Sequence, residues 1–373
     1  MMTKIPERGA WMEKTEYSAN YMRIDTAALA RNAKACVDAV QVPVIAVVKF
    51  DGYGLGIAAA ARAWQSAGVT TFAVSESWEA LALRQAGFTE DILLLAPVAD
   101  RETLSQLLEN NIVLTVSDLE NAKFYLENKG SHTLRIHVKV DTGMGRFGFR
   151  WNDPALVDIY RLEGLQIEGI FSHFGKSFEK KYDLTGKQLA WFLLAVKAVE
   201  DAGCRPGIRH IANSCAALRF PQTRLDAVRL GSALVGAFLA PVPLKLETAH
   251  SFQARVVAVK ELKKGDTLGY ASVCKAKKDT RAIVVALGFE HGYAMTGTPD
   301  PFPMRDFLVY IYHLWQRWRN PPAVIWKGKA MPLVGRVGSQ YTLFDAGCAE
   351  VQPGDFVTAR VNLLQNTAGR KYL

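Results

Sequence analysis

Between about residues 23 and 240 the chain alternates short, branched, apolar runs with segments of helical periodicity, and nothing else in it narrows the fold as much. The runs predicted as strands are Val44 to Val48, Thr71 to Val74, Ile92 to Leu95, Ile112 to Val116, Leu134 to Val140, Ile167 to Ser172, Ile208 to Ala212 and Ala227 to Leu230. Between them, Ser77 to Ala86, Thr103 to Asn110, Asp118 to Asn128 and Thr185 to Ala202 carry apolar residues at three- and four-residue spacing and open with Ser, Thr or Asp, as N-caps do. Alternation of this kind specifies repeated strand-helix units and a parallel sheet. Eight such units are the number that closes a (β/α)8 barrel.

After residue 245 the texture changes. Phe252 to Val259, Ala282 to Leu287, Met331 to Val337 and Asp355 to Val361 alternate apolar and polar residues, with Lys-Gly-Asp and Pro-Gly-Asp turns between them. The expected fold class is therefore α/β: a TIM-like (β/α)8 barrel over 22–243 followed by a smaller antiparallel β domain over 244–373, which residues 1–21 join. The boundary is set near residue 243, in Pro241-Val242-Pro243.

The net charge of +9 is spread out, with no run of Lys and Arg longer than a pair, which suits attraction of carboxylates and phosphates and gives no nucleic-acid footprint. Five cysteines, at 36, 204, 215, 274 and 348, form no Cys-x-x-Cys pair and leave one over in any pairing, as expected in a reducing compartment without a disulfide framework or structural zinc. The first twenty residues lack the apolar core of a signal peptide, and the run Phe307 to Trp315 is about half the length that crosses a bilayer. A cytoplasmic protein without a metal is expected.

Polar residues gather at the C-terminal ends of the expected strands: Lys49, Lys139 with Asp141, His173, Asn213 with Ser214, and Arg229. In a barrel of this kind the active site is built at that end. Lys49 closes an apolar run and opens into Asp51-Gly52-Tyr53-Gly54-Leu55-Gly56. An amine at the edge of an apolar wall has its pKa lowered toward the range where it attacks a carbonyl to form a Schiff base, so an aldehyde cofactor is the first ligand to seek.

Three segments carry a family resemblance. Val47 to Gly56 resembles the cofactor-lysine segment of alanine racemases, His137-Val138-Lys139-Val140-Asp141-Thr142-Gly143-Met144-Gly145-Arg146-Phe147-Gly148-Phe149 is similar to their central signature, and His210 to Leu218 with Val228 to Gly236 resembles their cofactor-binding turns. The similarity begins near residue 22 and is interrupted near 296 to 322. It implies an amino-acid racemase that uses pyridoxal 5'-phosphate (PLP) and works as a head-to-tail homodimer with shared active sites.

Carried over residue by residue, the resemblance implies that Lys49 holds the cofactor and shuttles one proton, while Tyr270 of the other subunit shuttles the second. Racemisation needs two bases on opposite faces of a planar carbanion. His173 is implied to hydrogen-bond that tyrosine and relay to Arg229, which faces the pyridine nitrogen with His210 behind it. Arg146 is implied to contact the phenolic oxygen and the substrate carboxylate, and Lys139 is the lysine often carbamylated. Tyr53, Asn213, Ser214, Gly231 and Ser232 fall in the cofactor-binding turns, with Tyr53, Ser214 and the backbone N–H groups of Gly231 and Ser232 on the phosphate.

Five positions depart from the pattern. Gly338-Ser339-Gln340 stands where the family has Cys-Met-Asp, a segment the partner presents to the substrate, and Phe289 and Asn366 replace two tyrosines. Ser339, Gln340 and Phe289 are thus substrate-side residues of altered character, which points away from strict alanine specificity toward a range of alanine and related small to medium amino acids, polar ones included. A fold-related PLP decarboxylase, or a homologue of altered activity, is the alternative. The insertion, about 298–322, contains an expected amphipathic helix from Phe307 to Arg319. Packing on its own β domain is its leading reading, ahead of covering the entrance, contacting a partner or touching a membrane.

Overall fold

The computed structural model describes residues 19–178, 182–236, 242–268, 274–295, 305–319, 321–363 and 368–373. The chain divides into two compact units, one spanning Thr26–Ala249 and one joining the segment that ends at Asp25 to His250–Leu373. Both dividing points fall a few residues C-terminal of the expected ones.

In the larger unit the parallel strands, first to eighth, are Val44–Val47, Thr71–Val74, Asp91–Leu94, Leu114–Val116, Leu134–Asp141, Leu165–Phe171, Ile208–His210 and Val228–Leu230. The eighth, first, second and third form one hydrogen-bonded sheet, and the fourth to seventh form another. Single parallel bridges, Leu93 to Val113 and His210 to Ala227, join the two sheets on both sides and close the ring. Each narrow seam is reinforced by side chains. At the first, Thr115 Oγ1 donates to Leu94 O (2.7 Å) and the Tyr125 hydroxyl donates to Thr115 O (3.1 Å). At the second, Arg209 Nε and Nη2 donate to the Asp226 carboxylate (2.7 and 2.8 Å).

The barrel core is divided by chemistry. Ile45, Val47, Ala73, Leu93, Val113 and Ala227 form an apolar cluster supplied by the first, second and third strands and the approaches to the fourth and eighth. The fifth to seventh strands instead bury His137, Lys139, Phe171 and His210. Helices cover the outside, which is why all four residues of Val44–Val47 are buried on both faces. Thr26–Val40 buries Ala28, Leu29, Asn32, Ala33, Cys36 and Val40, a single stripe at helical spacing.

The helix starts differ in part from expectation. Asp100 and Asp118 are caps, accepting from Thr103 N (2.8 Å) and Asn121 N (2.7 Å). Ser77 lies inside its helix, whose N-cap is Glu76, with the Glu79 carboxylate reaching back to Glu76 N (3.1 Å). Asp183–Asp201 starts two residues before Thr185 and has no side-chain cap.

The smaller unit is an antiparallel β-barrel. Thr280–Val285, Thr342–Asp345, Lys329–Val334, Ala323–Trp326, Phe356–Ala359 and His250–Leu262 each pair with the next, and the last returns to the first. The 13-residue strand His250–Leu262 changes partners at an irregularity between Val256 and Ala258, the usual work of a bulge. Asn20–Ile24 pairs antiparallel with it, and Gly369–Tyr372 runs parallel to Asn20–Ile24. Residues 1–18 lie outside the described residues.

Arg305–Arg319 is a helix, as expected. Along it Phe307, Val309, Tyr310, Ile311, Tyr312, Leu314 and Trp315 are exposed.

The two aspartate caps sit on separate helices and are expected to act independently. Asp100→Ala and Asp118→Ala should each lower stability by about 1 kcal/mol, and the double variant by about the sum. Urea unfolding midpoints check this.

Candidate active site

The first barrel strand ends in backbone strain. Phe50, Asp51, Gly52 and Tyr53 all have positive φ (54, 52, 65 and 57°), so the expected glycine-rich turn is a left-handed helical turn built largely from non-glycine residues. Each such residue costs about 1–2 kcal/mol relative to the right-handed form. Hydrogen bonds hold the turn: Gly52 N donates to Val48 O (3.1 Å) and Gly54 N to Phe50 O (2.8 Å), while Asp51 Oδ1 accepts from Ile57 N (2.8 Å). The buried Glu79 carboxylate accepts from the backbone N–H groups of Phe50, Ser75 and Glu76. The turn fixes Lys49, whose amine is pulled below the usual lysine range first by burial and then by the Arg146 charge, with Glu79 opposing.

On the eighth strand, paired directly with the first, Arg229 is 3% exposed and hydrogen-bonded through both terminal nitrogens. Nη1 donates to His210 Nδ1 (2.7 Å) and His210 O (3.1 Å), and Nη2 donates to Ser172 O (2.5 Å), His173 Nδ1 (3.2 Å) and Ile211 O (3.4 Å). Burial brings its pKa down to about 9, so it stays protonated at neutral pH. Because His210 Nδ1 accepts from Arg229, the neutral ring carries its proton on Nε2 and donates it to His137 Nδ1 (2.8 Å). His173 likewise keeps its proton on Nε2. All three imidazoles are pushed down, first by burial and next by the Arg229 charge, His137 to about 3. Phe171 stacks on His210 with centroids 5.1 Å apart. Gly169 makes room for His137: a Cβ there would lie 2.6 Å from its Cε1.

Lys139 is buried beside this network, its Nζ 4.5 Å from the Phe171 ring centroid. Burial, then Arg229 and Arg146, hold its amine well below the lysine range. Asp141 ends the strand and organises the next loop, with Oδ1 accepting from Gly143 N (2.9 Å) and Met144 N (2.8 Å) and Oδ2 from Gly145 N (3.0 Å). That loop carries the exposed Arg146. Gln188 ties it to the next strand's loop, donating to Thr142 O (3.0 Å) and accepting from Gly175 N (3.0 Å).

Tyr53, Asn213, Ser214 and Gly231 form a further group. Ser214 Oγ accepts from Gly231 N (3.0 Å) and Ala233 N (3.3 Å), and Asn213 Oδ1 accepts from Ala216 N (3.1 Å) and Ser177 Oγ (2.8 Å). A Cβ on Gly231 would lie 2.0 Å from the Tyr53 hydroxyl oxygen, so only glycine admits that phenol. Ser232 follows Gly231 in this turn.

In the smaller unit Phe289, Ser339 and Gln340 come together. Phe289 N donates to Gly338 O (3.1 Å), Glu290 N to Ser339 O (3.3 Å), and Gln340 Nε2 to Glu290 Oε2 (3.1 Å). Tyr270 and Asn366 lie outside the described residues. Among the described residues no group of His, Cys, Asp and Glu has the makings of a metal site, the cysteines are free, and no helix is long and apolar enough to cross a membrane.

The larger unit's constellation is short of anions. Lys49, Lys139, Arg146 and Arg229 influence one another electrostatically, and opposing them are Glu79, already accepting three backbone bonds, and Asp141. A ligand bearing phosphate and carboxylate groups and an aldehyde for Lys49 fits this donor set, with the Tyr53 and Ser214 hydroxyls around the close approach at Gly231. Sequence reasoning gave no role to His137, Phe171, Glu79 or Glu290. For His137 a signal existed: it is two residues from Lys139 on one strand and therefore on the same face.

Known proteins point the same way. The family models described as "Alanine racemase, N-terminal domain" and "Alanine racemase, C-terminal domain" match residues 24–238 and 249–368. The chain is 33% identical over 325 residues to an alanine racemase of Desulforamulus reducens, covering 84% of this chain and 82% of that protein. It is 35% identical over 289 residues to one of Listeria monocytogenes, covering 73% and 75%. Among solved structures, the alanine racemase of Bacillus anthracis with bound L-Ala-P superposes with a TM-score of 0.82 at 27% identity over 96% of this chain and 95% of that one.

The three neutral imidazoles have a consequence for stability. Unfolded, each takes up a proton below about pH 6.5; folded, His137 does so only near pH 3. Stability should therefore fall as pH drops through this window, by up to ~1.4 kcal/mol per pH unit for each imidazole. Urea midpoints from pH 7 to 5 measure it, and His137→Asn should reduce the slope.

Proposed function

Because the chain belongs to the alanine racemase family of isomerases, we propose that it interconverts the L and D forms of alanine or a related small to medium, polar amino acid, with pyridoxal 5'-phosphate as cofactor. The observation that carries this reading is the depressed amine of Lys49, fixed by a strained turn within the electrostatic reach of Arg146. When bound, the cofactor supplies a conjugated ring that delocalises the charge left when the substrate Cα loses its proton.

The protein's own groups do the rest. Lys49 holds the cofactor and moves a proton at Cα on one face. Tyr270 of a partner subunit moves the second proton on the other face, which makes a head-to-tail homodimer part of the proposal. His173 keeps Nε2–H free of Arg229, a donor suited to stabilising a phenolate at Tyr270. Arg229 stays protonated and so leaves the pyridine nitrogen without a proton, which weakens electron withdrawal and disfavours transamination. Tyr53, Ser214 and the backbone of Gly231 and Ser232 hold the phosphate, with Asn213 capping the helix from Ser214. Arg146 pairs with the substrate carboxylate.

Lys139 is read as the carbamylated residue. Its lowered pKa leaves a neutral amine that adds to carbon dioxide, forming an N–C bond and releasing a proton. The resulting anion offsets Arg229 and Arg146. On the substrate side Phe289, Ser339 and Gln340 widen the range of accepted side chains, and Glu290 sets the orientation of Gln340.

Incubating L-amino acids with the enzyme in heavy water should give α-deuterated product of both hands, from alanine and from at least one larger polar amino acid. Carbon dioxide release without the second enantiomer would mark a decarboxylase instead. Lys49→Ala should abolish the cofactor's visible absorbance and slow exchange by on the order of a thousandfold. Gly231→Ala, which leaves Lys49 intact, should weaken cofactor binding about tenfold or more, read by equilibrium dialysis.

A further inference from the structure

The helix Arg305–Arg319 exposes a stripe that a soluble protein ordinarily covers. Phe307, Tyr310, Ile311, Leu314 and Trp315 recur at the spacing of one helical face, and each is between 45% and 59% exposed. The nearby charge is mostly basic, with Asp306 at the helix start and Asp345 past Phe344 as the flanking acids. From Phe307 to Phe344 the sequence holds Arg317, Arg319, Lys327, Lys329 and Arg336 and no acidic residue. Arg319, Lys327 and Lys329 are exposed, as is Ile325 in the hairpin strand that begins at Ala323, just past the helix. Arg319 lies over Trp315 with its Cζ 5.4 Å from the ring centroid, a cation beside an amphipathic ring.

We propose that this face docks on an anionic lipid bilayer, with the helix lying in the interfacial plane, apolar stripe inward and basic groups among the headgroups. An apolar face bordered by aromatic rings and cations is what such a surface selects. At 15 residues, about 22 Å, the helix is too short to span the bilayer. The exposed basic groups Arg319, Lys327 and Lys329 beside the stripe match the charge of anionic headgroups.

The test is co-sedimentation of the full-length enzyme, loaded with pyridoxal phosphate, with vesicles of phosphatidylcholine alone or with about one third phosphatidylglycerol. Binding is expected only to the anionic vesicles, with a blue shift of tryptophan emission and release at high salt. Ile311→Asp/Leu314→Asp should abolish binding. Lys327→Glu/Lys329→Glu should weaken it about tenfold or more, and both variants should retain exchange activity and sedimentation velocity. Absence of binding, equal binding to both vesicle types, or binding that survives Ile311→Asp/Leu314→Asp overturns the proposal. So does a fall in oligomeric mass in that variant, which would assign the stripe to a second copy.

Discussion

A guanidinium buried inside a protein must have nearly every N–H satisfied, and Arg229 meets this condition with three backbone carbonyls and two imidazoles. Much of the site follows from that arrangement. Burial first, and then the fixed positive charge of Arg229, oppose protonation of the groups around it, so His173, His210, His137 and Lys139 are all held toward their neutral forms. Neutral imidazoles then accept from Arg229 and pass a hydrogen bond outward to His137. The network is consistent only when the arginine alone carries charge.

The same charge adds to a constellation of cations with few opposing carboxylates. Lys49, Lys139 and Arg146 lie within electrostatic reach of one another, and Glu79 is committed to backbone N–H groups. The left-handed turn after Lys49 adds conformational strain. Strain and like-charge repulsion at one site are costs that an anionic ligand offsets on binding, a pattern common where function takes precedence over stability.

Much of this was legible in the sequence, and the limits are physical. The eight strands show because a strand covered by helices on both sides must be apolar along its length, as Val44–Val47 is. Lys49, His173 and Arg229 show because each stands at or near the C-terminal end of an apolar run. His137 does not show as a site residue: its partner is chosen by strand pairing, and Gly169, which admits it, is one glycine among many until the register is known. Glu79 reads as an ordinary helix carboxylate until Phe50 N is seen to point at it. The short strands Ala323–Trp326 and Thr342–Asp345 have too few residues to establish a period of two. Helical periodicity identified Arg305–Arg319 but is blind to whether a neighbour covers the stripe.

The barrel closes between its seventh and eighth strands through one bridge, and Arg229 lies on that closure, bonded to the carbonyls of His210 and Ile211 on one neighbour and Ser172 on the next. The same side chain is therefore a rivet of the scaffold as well as part of its chemistry. Exchanging it for a carboxylate, to favour a different fate for the substrate, would remove the guanidinium shared by three carbonyls and loosen the cylinder at one of its two narrow seams. A chain built this way is not free to drift toward another reaction type by one substitution, because architecture and reactivity are coupled in a single residue.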